Sequence, residues 1–287
     1  MSIKFGSAGN PDRFYNEGHK ASVEMPAWLK VNGLTAYEYQ CGNGVRITEA
    51  TAKELGKAAK EAGIALSLHS PYYISLSSVE PEKRQKSVDY IMASLKAADA
   101  MGATRVVVHS GSCAKIDRAT ALSYAKETLK SALATAEEAG LSHIAICPET
   151  MGKLNQLGTL EEVLELCRLD ERMLPTIDFG HIYARSLGGL TTKEQFAEML
   201  NQVENALGWE RARQFHCHFS PIEFTASGEK KHLTFAQKEF GPDFGPLAEL
   251  LSERDWAPTI ISESAGTQAD DAMQMRDLYQ AAKGAKA

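Results

Sequence analysis

Two kinds of segment alternate along the 287-residue chain. Short runs of apolar and β-branched residues predict strands over residues 3–5, 36–40, 64–68, 105–108, 143–147, 174–177, 215–219 and 259–261. Between the strands, longer segments carry apolar residues at helical spacing, and several of these segments stop at Gly. They predict helices over residues 48–62, 81–100, 119–139, 160–168, 192–206, 247–254 and 269–282. The pattern therefore predicts eight strand-then-helix units, in the first of which a polar, Pro-containing segment around residues 24–28 follows the strand.

Most of the predicted strands are continuously apolar, which indicates strands covered on both faces, as in a parallel sheet. Eight such units predict an α/β protein that is a single (β/α)8 TIM barrel, one domain over residues 1–287. The alternative is an open doubly wound sheet. That fold commonly opens a helix with Gly-x-Gly-x-x-Gly, a motif not found at any predicted helix start. The barrel is the favoured prediction.

Composition narrows the class of protein. The chain is 44% hydrophobic and 24% charged, as in ordinary soluble proteins, and its formal charge of −6 gives no overall basic balance for nucleic acid. The five cysteines are scattered without Cys-x-x-Cys pairs, which indicates reduced thiols. No apolar run has the length of a membrane span, and the first residues lack a signal region. We expect a cytoplasmic monomer with no membrane partner.

The carboxyl ends of the predicted strands carry the candidate chemistry. Six successive strand ends, from the third to the eighth, each present a potential metal ligand: His69, His109, Glu149, Asp178, His216 and Glu263. In a barrel, these ends converge on one face, which holds the active site. Residues chosen only for packing would not supply six potential ligands in this register. The sequence therefore predicts a metal cluster at the carboxyl face.

The mixture of nitrogen and oxygen donors favours zinc, or manganese or iron, over magnesium and calcium. Six donors exceed the three or so protein ligands of one catalytic zinc, so we expect two or more ions that share a bridging carboxylate. His181, three residues after Asp178, and His232, in the loop after the seventh strand, could complete a further site. His218 lies on the same strand face as His216 and could be a ligand, a supporting residue or a phosphate contact.

Five segments of the chain are similar to the endonuclease IV family of apurinic/apyrimidinic DNA repair enzymes, and the resemblance extends from residue 6 to residue 263. They are Leu-His-Ser-Pro-Tyr at 68–72, Val-His-Ser-Gly-Ser at 108–112, Pro-Glu-Thr-Met-Gly-Lys at 148–153, Asp-Phe-Gly-His at 178–181 and Ser-Glu-Ser at 262–264. The Asp-x-x-His segment also occurs in sugar isomerases and epimerases of the same barrel superfamily.

The resemblance implies a barrel with up to three zinc ions, manganese replacing zinc in part, that cuts damaged double-stranded DNA 5′ to abasic sites. It implies ligand sets of His69, His109 and Glu149; of Glu149, Asp178, His216 and Glu263; and of His181 and His232. It further implies that Glu149 bridges two ions and that Glu263 positions or deprotonates the attacking water. Tyr72 is expected to enter the damaged duplex, and His218 to contact the substrate.

The chain departs from the family in the loop after the seventh strand. The family commonly has Asp-x-His there, whereas this chain has Lys230 in the place of the Asp, with Glu229 or His218 as possible substitutes. The alternative function is a sugar isomerase or epimerase with one metal ion held by Glu149, Asp178, His216 and Glu263. It would leave His69, His109 and His232 without a role. A metal-binding barrel without activity is a third hypothesis.

Overall fold

A computed structural model describes residues 2–285 of the chain. Its strands are β1 (Lys4–Ala8), β2 (Ala36–Gln40), β3 (Ala65–His69), β4 (Arg105–His109), β5 (Ala145–Glu149), β6 (Thr176–Asp178), β7 (His216–Phe219), β8 (Ile222–Thr225), β9 (Gly228–His232) and β10 (Thr259–Ser262). All except β8 and β9 form a closed barrel, in the order β1-β10-β7-β6-β5-β4-β3-β2, with parallel pairing throughout. The predicted TIM barrel is confirmed.

Helices connect the strands. They are α1 (Asp12–Asn16), α2 (Met25–Val31), α3 (Glu49–Ala62), α4 (Pro81–Met101), α5 (Arg118–Glu138), α6 (Leu160–Cys167), α7 (Phe179–Arg185), α8 (Lys193–Leu207), α9 (Trp209–Ala212), α10 (Gly245–Arg254) and α11 (Gln268–Gly284). Local signals fix their ends: Thr159 and Glu162 form a capping box that starts α6, and Gly63 ends α3 at a φ of 75°. Within residues 2–285, none of these helices has the length and apolar character needed to cross a bilayer.

The two faces of the barrel strands differ in chemistry. On β3, Leu66 and Leu68 belong to the large apolar core between barrel and helices, while the alternate residues Ser67 and His69 point the other way. The same alternation on the other strands leaves the barrel interior with only small apolar clusters, such as Ala8, Ala36 and Ile261. Most of the remaining interior positions are polar. Apolar burial outside the barrel therefore stabilises an interior that carries titratable groups.

Several elements differ from the sequence prediction, which contains no helix at α1, α2, α7 or α9. Two further differences concern β1 and the loop after β7. β1 runs through Gly6, where the sequence predicts the end of the strand. A Cβ at Gly6 would lie 2.1 Å from the carbonyl oxygen of Ala36, so the glycine permits close packing inside the sheet. The loop after β7 contains the antiparallel β8–β9 hairpin, interrupted by an irregularity between Glu223 and Phe224. The sequence does not predict this hairpin, because the alternating run in β8 is only four residues long and the residues of β9 are polar without alternation.

Candidate metal centre

The first group of potential ligands, the histidine group, consists of His69, His109 and Glu149 at the ends of β3, β4 and β5. Glu149 Oε2 lies 3.4 Å from the Nε2 atoms of both His69 and His109. Glu149 follows Pro148 on a buried strand and is 1% exposed. The three donor atoms converge on one point, as the strand-end pattern predicts.

The second group, the central group, consists of Glu149, Asp178, His218 and Glu263. His218 Nδ1 lies 2.9 Å from Glu149 Oε1 and 3.5 Å from Glu263 Oε1. Asp178 also caps α7, because its Oδ1 accepts a hydrogen bond from the backbone N–H of His181 at 2.7 Å. Glu149 is common to the histidine and central groups, so one carboxylate faces two potential cation positions.

His216 is not part of the central group, which corrects the sequence expectation. Parallel pairing of β6 with β7 places Asp178 level with His218 and Thr176 level with His216. Two residues along a strand correspond to roughly 6.6 Å, so His216 lies one layer deeper in the barrel. There its Nε2 donates a hydrogen bond to Glu38 at 2.8 Å. His218 takes the position expected of His216.

The third group, the hairpin group, consists of His181 on α7 with Glu229 and His232 on β9. His181 Nε2 lies 3.5 Å from Glu229 Oε2. Lys230 points elsewhere and pairs with Glu223 at 2.6 Å. The sequence offered Glu229 or His218 as the substitute for the Asp that is common in the endonuclease IV family. Of these two, Glu229 is the residue in the hairpin group.

Backbone carbonyls orient two of the imidazoles. The Nδ1 of His69 donates to the carbonyl oxygen of Ser70, and the Nδ1 of His181 donates to that of Thr150, each at 2.8 Å. Because a carbonyl only accepts, each ring carries its proton on Nδ1 and presents Nε2 to its group. Hydrogen bonds of this kind fix the tautomer of metal-binding histidines.

The ionisable side chains of the site differ in the direction of their pKa shifts. Burial lowers the pKa of His109 to about 3, whereas for His181 the carboxylates of Asp178 and Glu229 overcome burial and raise the pKa to about 9. Burial acts to raise the pKa of Glu149, but the charge and hydrogen bond of His218 hold it well below its usual range. Burial raises the pKa of Glu263. Glu149 is thus the ionised carboxylate, and Glu263 the one that holds a proton more readily.

The donor set fits divalent cations. Glu149 Oε2 and Asp178 Oδ2 are both buried without a hydrogen-bond donor. An unsatisfied buried acceptor costs about 1–3 kcal/mol, and more when it is charged. A cation among these oxygens would remove that cost, and the accompanying imidazoles favour zinc, manganese or iron over magnesium and calcium. The geometry therefore accommodates the metal ions that the strand ends predict.

Comparison with known proteins gives the family. The model of the family described as "Xylose isomerase-like TIM barrel" matches residues 26–282. Uncharacterized protein MJ0133 of Methanocaldococcus jannaschii is 32% identical over 276 residues, which cover 96% of this chain and 97% of that protein. The chain belongs to the xylose isomerase-like TIM barrel family.

The proteins that this chain is similar to include both endonuclease IV and a sugar epimerase-like protein. Probable endonuclease 4 of Mycoplasma pneumoniae is 26% identical over 181 residues; the match spans 61% of this chain and 60% of that protein. Endonuclease IV from Thermus thermophilus and a D-tagatose 3-epimerase-like protein each align with a TM-score of 0.72. The endonuclease IV structure is 19% identical, and the alignment covers 98% of this chain and 99% of that one. The epimerase-like structure is 20% identical, and the alignment covers 99% of both chains. These structures share the xylose isomerase-like fold.

Tyr72 lies beside the histidine group, at the mouth of the xylose isomerase-like barrel. Its ring stacks on His109 with 5.4 Å between centroids and meets His69 edge to face at 5.5 Å. The side chain is nevertheless 57% exposed. A concavity of about 370 Å³ beside it is also lined by Arg46. Tyr72 is thus placed to contact a ligand without entering the ligand groups.

Two residues of this xylose isomerase-like site have no clear signal in the sequence. Glu38 occupies an inward position of β2, fully buried, in a strand whose sequence indicates only that it is β-rich. Glu229 is marked in the sequence only as the nearest carboxylate to His232. Glu38 could have been found from its alternation with Ala36 and Gln40, which places an acid inside the barrel. The position of Glu229 depends on the hairpin.

Proposed function

We propose that the protein is a metal-dependent phosphodiesterase that hydrolyses damaged double-stranded DNA 5′ to abasic sites. The observation that carries this proposal is the presence of three neighbouring ligand groups. Two of them share Glu149, and His181 of the third lies 3.6 Å from Glu149 Oε1. Relatives named as probable endonuclease 4 support it.

Three groups suit phosphodiester cleavage better than sugar isomerisation. Cleavage of a phosphodiester develops charge on both the attacking and the leaving oxygen, and clusters of two or more cations stabilise both. Isomerisation of a keto sugar needs only one cation beside the sugar oxygens. The central group alone would serve that reaction, and the hairpin group would then have no function. The number of groups thus favours phosphoryl chemistry.

The chain's own residues have distinct tasks in this proposal. Divalent cations held by the three groups would acidify water and neutralise charge on phosphate oxygens. Glu149 would hold two of them at a fixed separation, because its two oxygens face different groups. Glu263, a member of the central group, would position or deprotonate the attacking water.

The exposed ring of Tyr72 supplies an apolar surface for a gap in a duplex, where base and pairing are missing. Arg46 lines the same concavity and is a candidate phosphate contact. Lys230 and Lys231 already pair with Glu223, at 2.6 and 3.3 Å, so their charges are partly compensated. Recognition would therefore depend on the site itself more than on a broad basic surface.

The second candidate function is a single-metal sugar epimerase. A specific observation favours it: the D-tagatose 3-epimerase-like structure aligns as well as endonuclease IV does. Both candidates share the central group. They differ in the use of the histidine and hairpin groups.

The deciding experiment compares both reactions on one preparation loaded with zinc, manganese or cobalt. We expect incision of a duplex that carries one abasic analogue, with two to three ions bound per chain. Glu149→Gln should abolish incision, whereas Glu61→Gln, an exposed carboxylate on α3, should not. Turnover of ketoses without incision, at one ion per chain, would refute the nuclease proposal.

A further inference from the structure

Beneath the central group lies a fourth cluster, the deep group, formed by Glu38, His216 and His218. All three side chains are fully buried in the barrel interior. Glu38 Oε2 accepts hydrogen bonds from Ser67 Oγ at 2.9 Å and His216 Nε2 at 2.8 Å. Glu38 Oε1 accepts from Gln40 Nε2 at 3.2 Å and makes a 2.9 Å ion-pair contact with His218 Nε2. Every partner of this carboxylate is a donor.

Arg105 fixes His216 from below. Its guanidinium donates to the carbonyl oxygens of Gln214 and Phe215, and its Nη1 lies 3.5 Å from His216 Nδ1. A guanidinium only donates, so Nδ1 of His216 is the accepting nitrogen and Nε2 carries the proton given to Glu38. His216 is therefore held in one tautomer between Arg105 and Glu38.

His218 differs from the other candidate ligands in the nitrogen it uses. Its Nε2 lies against a carboxylate oxygen, so this atom carries a proton, because two lone pairs at 2.9 Å would repel. Its Nδ1 faces Glu149 and Glu263. His69 and His181 have the opposite arrangement, with Nδ1 on a backbone carbonyl and Nε2 towards the ligands. A flexible ring without Glu38 could turn either nitrogen to the central group.

We infer that Glu38 is a positioning residue for the metal centre. With His216 as its second imidazole partner, it keeps the proton of His218 on Nε2 and so directs Nδ1 to the ion of the central group. The inference rests on the metal site of the proposed function and is independent of whether DNA is the substrate. Carboxylate–histidine–metal arrangements of this kind are known to raise the basicity of the ligand and to fix its ring.

The deep group is better suited to orienting His218 than to holding an ion. Oε2 of Glu38 already accepts two hydrogen bonds, and Oε1 accepts one and lies 2.9 Å from His218 Nε2. A cation there would have to displace the Nε2 protons of two imidazoles and compete with Ser67 and Gln40. By contrast, the central group contains carboxylate oxygens without donors, at Glu149 and Asp178. The buried carboxylate oxygens that a cation would stabilise are therefore in the central group and not in the deep group.

The decisive measurement uses the wild-type, zinc-loaded protein labelled with 15N at histidine. We expect the His218 signals to show a zinc-bound Nδ1 and a protonated Nε2, and the His216 signals to show a neutral ring without zinc. Zinc on Nε2 of His218 would overturn the inference. Zinc on His216 would overturn it as well, because the deep group would then be an ion site.

Glu38→Gln tests the same point by substitution. In either orientation the new amide N–H2 would face a protonated imidazole nitrogen, Nε2 of His216 or Nε2 of His218. We expect one ion per chain to be lost at roughly 10- to 100-fold lower chelator concentration, with the ion of the hairpin group unaffected. Ser67→Ala, which removes one donor and keeps the carboxylate, is the matched control and should retain the ions as the wild type does. Wild-type retention in Glu38→Gln would refute the inference, and if this variant does not fold, the 15N measurement decides. The 15N signals and the chelation curve report metal binding only. Their expected results would therefore stay the same even if the protein did not cut DNA.

Discussion

Gly152 lies where the loop after β5 meets the hairpin group, and Gly152→Ala tests how closely the two fit. The backbone N–H of Glu229 donates to the carbonyl oxygen of Gly152 at 3.1 Å, and Lys153 forms an isolated bridge with Gly228. A Cβ on residue 152 would lie 2.6 Å from Glu229 Cβ, 2.8 Å from Glu229 Oε2 and 3.0 Å from His181 Cδ2. The added methyl group thus meets two members of the hairpin group at once.

The free-energy cost of Gly152→Ala follows from these distances. Ordinary contact begins at 3.4 Å, so the two Cβ atoms must move apart from 2.6 Å by about 0.8 Å. The contact is between backbone-anchored atoms, and the hairpin can yield only by weakening its bridge to the loop. Overpacking of this kind costs about 1–3 kcal/mol, which corresponds to a roughly 5- to 150-fold weaker hold on an ion in the hairpin group.

The assay is graded chelation of metal-loaded protein, with the ions per chain counted at each step. We expect one ion to leave Gly152→Ala at a lower chelator concentration, while the ions of the histidine and central groups remain. Gly245→Ala is the control, since a Cβ there would have its nearest neighbour at 3.6 Å. If Gly152→Ala releases its ions as the wild type does, either the hairpin group binds no ion or the fit is looser than these distances indicate.

Three further predictions concern individual side chains. Glu149→Gln should lower the ion content and abolish incision while the metal-free protein unfolds near the wild-type temperature, because the carboxylate serves two groups; full ion content with substantial incision would show that it does not bridge. Tyr72→Ala should weaken binding to abasic duplex by roughly 1–3 kcal/mol in a titration, with Tyr72→Phe close to wild type and the ion count unchanged in both. Loss of thermal stability with unaltered DNA affinity would instead assign Tyr72 a packing role. Glu229→Gln should release one ion early under chelation, whereas Lys230→Ala should not, since Lys230 pairs with Glu223; equal effects would contradict the assignment of Glu229.

The barrel and the location of the site could be predicted because both depend on local pattern. Except for β1, each barrel strand ends within two residues of the end of its predicted apolar run. Five of the six predicted strand-end residues, all except His216, belong to the histidine and central groups. The choice between His216 and His218 could not be predicted, because both lie on the inward face of β7. Which of them is level with Asp178 depends on the stagger between neighbouring strands, a property of barrel closure that a period of two does not encode.

Glu38 and Glu229 were harder to assign for a different reason. Glu38 meets His216 across 178 positions of sequence, so no local signal connects them. Glu229 reaches His181 through a hairpin whose irregular pairing shifts its residues relative to an ideal strand. In both cases the deciding information is the contact between distant elements.

The β8–β9 hairpin makes one third of the metal centre separable from the scaffold. The histidine and central groups stand on strand ends and on residue 263 just beyond β10, but two of the three residues in the hairpin group belong to the loop between β7 and α10. This loop can be exchanged without altering any hydrogen bond between the barrel strands, because β8 and β9 pair only with each other. A barrel that handles one kind of substrate could thus acquire another by changing a dozen or so residues in one loop, and the same loop is the natural segment to graft when the chemistry of this scaffold is to be redesigned.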